Sequence, residues 1–160
     1  GEEFMDLETL KASATRSEPY DPHKVRRYLN ELSFEGYDYE KEIRPVDGHR
    51  LPLLALVQSA YARAIHHTKV KEPFWFCLKP HGSETYMAFN TSQDTGVSVL
   101  GDVSHLQPRC EILIDSRFLF GLLTRLYHWN NAEIGSHYRA RRVPNEFRRE
   151  VYGFLNRFHV

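Results

Sequence analysis

The sequence predicts an α+β domain with roughly five strands in a mainly antiparallel sheet, covered on one side by helices. Three observations predict it. Four short runs rich in aromatic and β-branched residues, PFWFCLK, ETYMAFN, GVSVL and CEILI, follow one another between Pro73 and Ile114. Apolar stripes at helical spacing stand before and after them. The chain of 160 residues is also long enough to bury roughly two-thirds of the surface that its unfolded form exposes, so a core needs no staples.

The elements follow in order. GEEF ahead of Met5 reads as a cloning remnant at residues 1–4 and is set aside. Asp6 to Ala14 suits a short helix on Leu7 and Leu10, although one apolar turn cannot hold an isolated helix in water. In DPHKVRRYLNEL, Asp21 is the expected N-cap and Pro22 suits the first helical position, while Val25, Leu29 and Leu32 share a face. Phe34 to Asp47 mixes Gly, Pro and dense charge without a period, as a linker or extended arm does. Residues 5–50 are therefore expected to be a helical arm and linker, and 51–160 the α+β domain.

Leu51 to Ile65 is apolar on most of its circumference, which predicts a buried helix. Among the strands, PHGS has the chemistry of a hairpin turn, and GDVSHLQP reads as a surface connection before the fourth strand. Asp115 or Ser116 then caps a helix whose Phe118, Leu119, Leu122, Leu123 and Leu126 form an apolar face. Trp129 anchors the end of that helix, and Asn130, Asn131 and Gly135 make a brief helical turn. Ser136 to Val143 is strand-like, with His137, Arg139 and Arg141 on one face and Tyr138, Ala140 and Arg142 on the other. A final helix runs from Glu146 to about Phe158 on Val151, Phe154, Leu155 and Phe158.

Composition removes several function classes. The 21 basic and 21 acidic residues cancel, so no global field draws in nucleic acid, and none is expected as a partner. No apolar run approaches the roughly 18 residues that a membrane span needs. The N-terminus has no basic segment followed by an apolar one, and Cys77 and Cys110 sit in apolar strand-like runs, which suits reduced thiols and a cytoplasmic location.

CEILIDS followed at once by FLFGLLTRL, with Asp115 and Ser116 as the cap, Phe118 and Phe120 as rings, and Leu122, Leu123 and Thr124 behind them, resembles the sterol-carrier-protein type of domain. The resemblance spans about Leu51 to Val160, and it implies a hydrophobic tunnel for fatty acyl or sterol-like ligands. Related copies are appended to metallo-β-lactamase-fold hydrolases, and WNNAEIGSHYRARR through FLNRFHV is similar to the tails of those hydrolases. No His-x-His-x-Asp-His motif occurs, so the likeness implies the accessory part without a metal centre. The charged strand Ser136 to Val143 departs from the family, whose strand there carries apolar residues into the cavity.

Two sets of candidate binding residues result. Trp75, Phe89, Phe118, Leu122 and Trp129 are candidates for holding a hydrophobic or acyl small molecule, with a packed core as the competing role of such residues. Arg139, Arg141, Arg142 and His137, extended by Arg148 and Arg149, are candidates for an anion or a partner, since guanidinium makes planar paired hydrogen bonds. Glu133, Glu146 and Glu150 offer those arginines internal ion pairs instead.

Catalytic chemistry finds no complete motif. GVSVLG is not a serine elbow, and HGSETY lacks the glycines of a phosphate loop. His66 and His67 point about 100° apart on a helix, and Glu133 with His137 supplies only two ligands, so no metal and no cofactor is expected. An enzyme would need Glu133, His137 and an arginine to converge in a cleft. The expected function is a non-catalytic module for a hydrophobic or acyl ligand, or the accessory domain of a metallo-hydrolase partner. The alternative is an interaction module, a homodimer through Leu51 to Ile65.

Overall fold

A computed structural model of the chain describes residues 21–31, 50–67, 69–92 and 95–160. The chain divides into two units, Gly1–Tyr37 and Asp38–Val160. In the first unit, helix α1 (Pro22–Glu31) starts as its sequence dictates. Asp21 Oδ1 accepts the backbone N–H of His23 at 2.9 Å and of Lys24 at 3.4 Å, which satisfies donors that a helix start leaves open. The side chains of Val25, Leu29 and Leu32, the short helix expected at residues 6–14 and the arm expected at 34–47 lie outside what is described.

The second unit is α+β. In order it holds α2 (Leu53–Ile65), β1 (Trp75–Pro80), β2 (Tyr86–Asn90), β3 (Val97–Leu100), β4 (Arg109–Ile114), α3 (Ser116–Leu123), α4 (Trp129–Ile134), β5 (Tyr138–Val143) and α5 (Arg149–Leu155). The strands form one five-stranded sheet in the order β3-β2-β1-β4-β5. Three neighbouring pairs are antiparallel, and β1 runs parallel to β4. The sheet is mainly antiparallel, as expected, with one parallel pair. After the β1-β2-β3 meander the chain crosses back and enters beside β1.

That crossing corrects the expectation for GDVSHLQP. It is more than a surface run, because Val103 and Leu106 are buried in an apolar cluster with Cys77 and Ala88. The PHGS turn is as expected, with Gly82 at φ 77°, in the left-handed region that glycine occupies without steric cost.

Register assigns the side chains to faces. Phe76 lies opposite Phe89 and Cys110, and Leu78 opposite Met87 and Ile112, so these six share a side. Helices cover that side. Tyr61 of α2 and Phe154 of α5 have ring centroids 5.6 Å and 5.9 Å from Phe89, and Tyr152 of α5 meets Phe76 edge-on at 5.7 Å. Phe76, Phe89 and Phe158 are fully buried, each contributing about 1.5–3 kcal/mol of apolar transfer.

Three helices differ from expectation, one in its burial and two in their boundaries. Helix α2 is buried on one face only, through Leu53, Val57, Ala60, Tyr61 and Ala64, because Gln58, Ser59, Ala62 and Arg63 on the outer face are small or polar. Helix α3, capped by Asp115 Oδ1 accepting the N–H of Arg117 at 2.8 Å, stops at Leu123. Arg125 then takes φ 64°, which leaves Leu126 exposed. The last helix starts at Arg149, since Arg148 is extended at φ −117°, ψ 100°. Phe158 still reaches the core through the turn formed by its N–H and the carbonyl of Leu155. Among the described residues, no helix is long and apolar enough to cross a membrane.

Candidate functional site

The other side of the sheet is built from the alternate residues. Trp75, Cys77 and Lys79 of β1 face it, and register adds Ala88 and Asn90, Arg109, Glu111 and Leu113, and Arg139 and Arg141. Tyr86 and Leu100 are register partners on the same side. One half of this face is closed by the 101–108 connection, where Val103 and Leu106 lie with Cys77 and Ala88 and against Trp75, Tyr86 and Leu100. The other half holds a shallow open cavity of about 340 Å³, lined by strand residues alone, among them Lys79, Tyr86, Glu111, Leu113, Arg139 and Arg141. That volume is at the lower end of what small-molecule sites offer.

Its electrostatics turn on Arg109. This arginine is 6% exposed, and its Nη1 donates to the carbonyls of Ser104 and Leu106 at 3.2 Å each, which pins the connection to the sheet. Its Nε donates to Glu111 Oε1 at 2.8 Å. Glu111 stands opposite Arg141 in register, yet its carboxylate is taken by Arg109. Among the described residues, Arg139 and Arg141 are exposed and their guanidinium groups make no ion pair or hydrogen bond. Lys79 Nζ sits 4.9 Å from the Tyr86 ring centroid. Burial, then the Glu111 charge, holds the Tyr86 hydroxyl above its usual range, so it remains a neutral donor near pH 7. Burial and the same carboxylate push the Cys77 thiol up to about 12, which makes it inert.

The hydrophobic candidates are divided by the sheet. Trp75 is on the open side. Phe89 stacks on Phe158 at 4.5 Å, and Phe118 stacks on Tyr127 at 5.0 Å. Leu122 is buried, and the Trp129 indole N–H donates to the carbonyl of Phe158 at 2.9 Å. Leu122 and Trp129 also border a polar cleft of about 290 Å³ with Arg125, His128 and Asn130.

The anion candidates are divided too. Arg142 lies on the helix side, where its Nε donates to the Tyr152 hydroxyl and its Nη2 to Glu133 at 3.2 Å. The Tyr152 hydroxyl in turn donates to Cys110 Sγ at 3.3 Å. Arg142 is thus a structural tie between β5, α4 and α5. His137 packs its ring 4.8 Å from Phe118. Arg148 pairs with Glu72 at 3.3 Å and with Glu146 at 3.4 Å. Only Arg139 and Arg141 of the expected set meet in the open cavity. Among the described residues, no three His, Cys, Asp or Glu side chains are grouped to hold a metal ion.

Lys79, Arg109, Glu111 and Leu113 were not among the expected site residues. For the last three the signal was present in the alternation of RCEILID, which sets Arg109, Glu111 and Leu113 on one face and Cys110, Ile112 and Ile114 on the other.

No family model and no curated protein matches the chain. Among solved structures it is similar to a UbiJ-SCP2 ubiquinone synthesis protein, at 15% identity and a TM-score of 0.36, with 67% of this chain and 77% of that one covered.

Proposed function

We propose that the Asp38–Val160 unit is a non-catalytic binding module for a hydrophobic or acyl small molecule, held on the open face of the sheet. One observation carries the reading. The core between sheet and helices is filled by interlocked rings. The clefts at the helix margins, about 640 Å³ beside Lys69, Glu72 and Arg148 and about 290 Å³ beside Arg125 and His128, are lined largely by charged and polar side chains, whereas the open side offers a cavity of about 340 Å³ in which Leu113 and Tyr86 stand beside Arg139 and Arg141. A shallow floor with an apolar patch and a few convergent polar groups suits retention of a ligand. The sequence resemblance to sterol-carrier domains supports an acyl ligand, and the two free cysteines are compatible with a cytoplasmic setting.

Native mass spectrometry of the full chain, before and after addition of dodecanoate, tests this. The reading expects a monomer that binds one dodecanoate saturably. Absence of any saturable binding overturns it. A ligand-free dimer broken by Leu54→Glu would replace it with self-association through α2, and binding only in the presence of a metallo-hydrolase would replace it with the accessory role.

A further inference from the structure

We infer that Arg139 and Arg141 form a receptor for the oxyanion head, carboxylate or phosphate monoester, of an amphipathic molecule whose apolar chain lies over Leu113 and Tyr86. This rests on the reading above and specifies its chemistry. Both arginines project from β5 to the same side, two residues apart, and both line the cavity. Lys79 lines it from β1, so three cations converge on a floor whose only acidic group, among the described residues, is Glu111.

Glu111 is the natural quencher of such a site, because it is the register partner of Arg141. Arg109 removes it. The buried guanidinium of Arg109 is fixed by two carbonyls of the connection and draws the Glu111 carboxylate to 2.8 Å. With its negative charge already neutralised, the floor leaves Arg141 and Arg139 available for an outside anion. Arg109 is therefore a positioning residue, acting through Glu111. Charge-assisted bonds from paired guanidinium groups discriminate an oxyanion from a neutral head of the same size.

The test compares dodecanoate, dodecyl phosphate, dodecanol and inorganic phosphate by isothermal titration against the full chain and its variants. The native chain is expected to bind dodecanoate and dodecyl phosphate about tenfold or more tighter than dodecanol. The double variant Arg139→Gln, Arg141→Gln removes that preference, so that dodecanoate, dodecyl phosphate and dodecanol bind alike. Both residues are exposed, so the fold is retained, as circular dichroism checks. Glu111→Gln strengthens dodecanoate binding by about threefold, and Arg109→Gln weakens it unless Glu111→Gln is added. Rescue by the second substitution is not expected of a merely structural arginine. Equal binding of dodecanoate and dodecanol, unchanged in the double variant, overturns the inference but leaves the acyl-binding reading standing. Inorganic phosphate binding as tightly as dodecyl phosphate overturns it in favour of a free-anion site. No binding of any of the four overturns both.

Discussion

Phe76 and Cys77 are neighbours in the chain and look out on opposite sides of the sheet. Phe76 meets Phe74, Phe89 and Tyr152, rings supplied by the chain before β1, by β2 and by α5. Cys77 meets a thinner cover, the 101–108 connection through Val103 and Leu106. Beyond that connection the open face ends in charges. The helix side answers the half-buried Arg142 with Tyr152 and Glu133, whereas the open side answers Glu111 but leaves Arg139 and Arg141 unanswered. Close packing is therefore concentrated on one face and unpaired positive charge on the other.

Substitutions sharpen or break that division. The largest effect is expected for Phe89→Ala on the helix side, which leaves a cavity among Tyr61, Phe76, Phe154 and Phe158 and lowers unfolding stability by about 3–5 kcal/mol. Urea denaturation reads it, and a loss below about 1 kcal/mol would mean that this side is not closely packed. Next comes Tyr152→Phe. It deprives the Arg142 Nε of its acceptor and Cys110 of its donor, for an expected loss of about 1–2 kcal/mol by the same measurement.

Asp115→Ala removes the N-cap of α3 and is expected to cost about 1 kcal/mol. Here pH adds a signature. Burial pushes the Asp115 carboxyl up, but the hydrogen bonds and charge of Arg117 outweigh it and hold the group below the ordinary carboxylate range. A depressed folded value means that the contribution is present above the unfolded value of about 3.9 and is lost as pH falls through the folded one. The difference in stability between the native chain and Asp115→Asn should therefore shrink below about pH 4. A difference that stays constant down to pH 2 would separate the cap from the ionised carboxylate. The smallest effect belongs to Arg139→Gln on the open side, within about 0.5 kcal/mol of the native chain. A large loss there would show that the guanidinium serves the fold.

The strands were legible because aromatic and β-branched residues cluster where a sheet is buried, and the start of α3 was legible because Asp115 can cap it. Other features were not local. WFCL and CEILI are apolar on both faces, so neither run says which neighbour it pairs with, and the parallel β1–β4 contact is set by the crossing of residues 101–108. For the same reason Trp75 and Phe89 read alike, although the sheet separates them. The arginine strand was legible in its alternation, which already set Arg142 apart from Arg139 and Arg141. Treating the three as one patch overlooked what that period does to a strand at the sheet edge. The role of Glu111 depends on Arg109 being held by carbonyls of a loop, a contact that no spacing encodes.

The most direct measurement is residue-resolved NMR of the full chain titrated with dodecanoate. The account predicts progressive shifts at the Leu113 methyls, the Tyr86 ring and the Arg139 and Arg141 side chains, with the Phe89 ring and the Trp129 indole N–H unmoved. Shifts centred on Phe118, Leu122 and Trp129, with the open face silent, would contradict it.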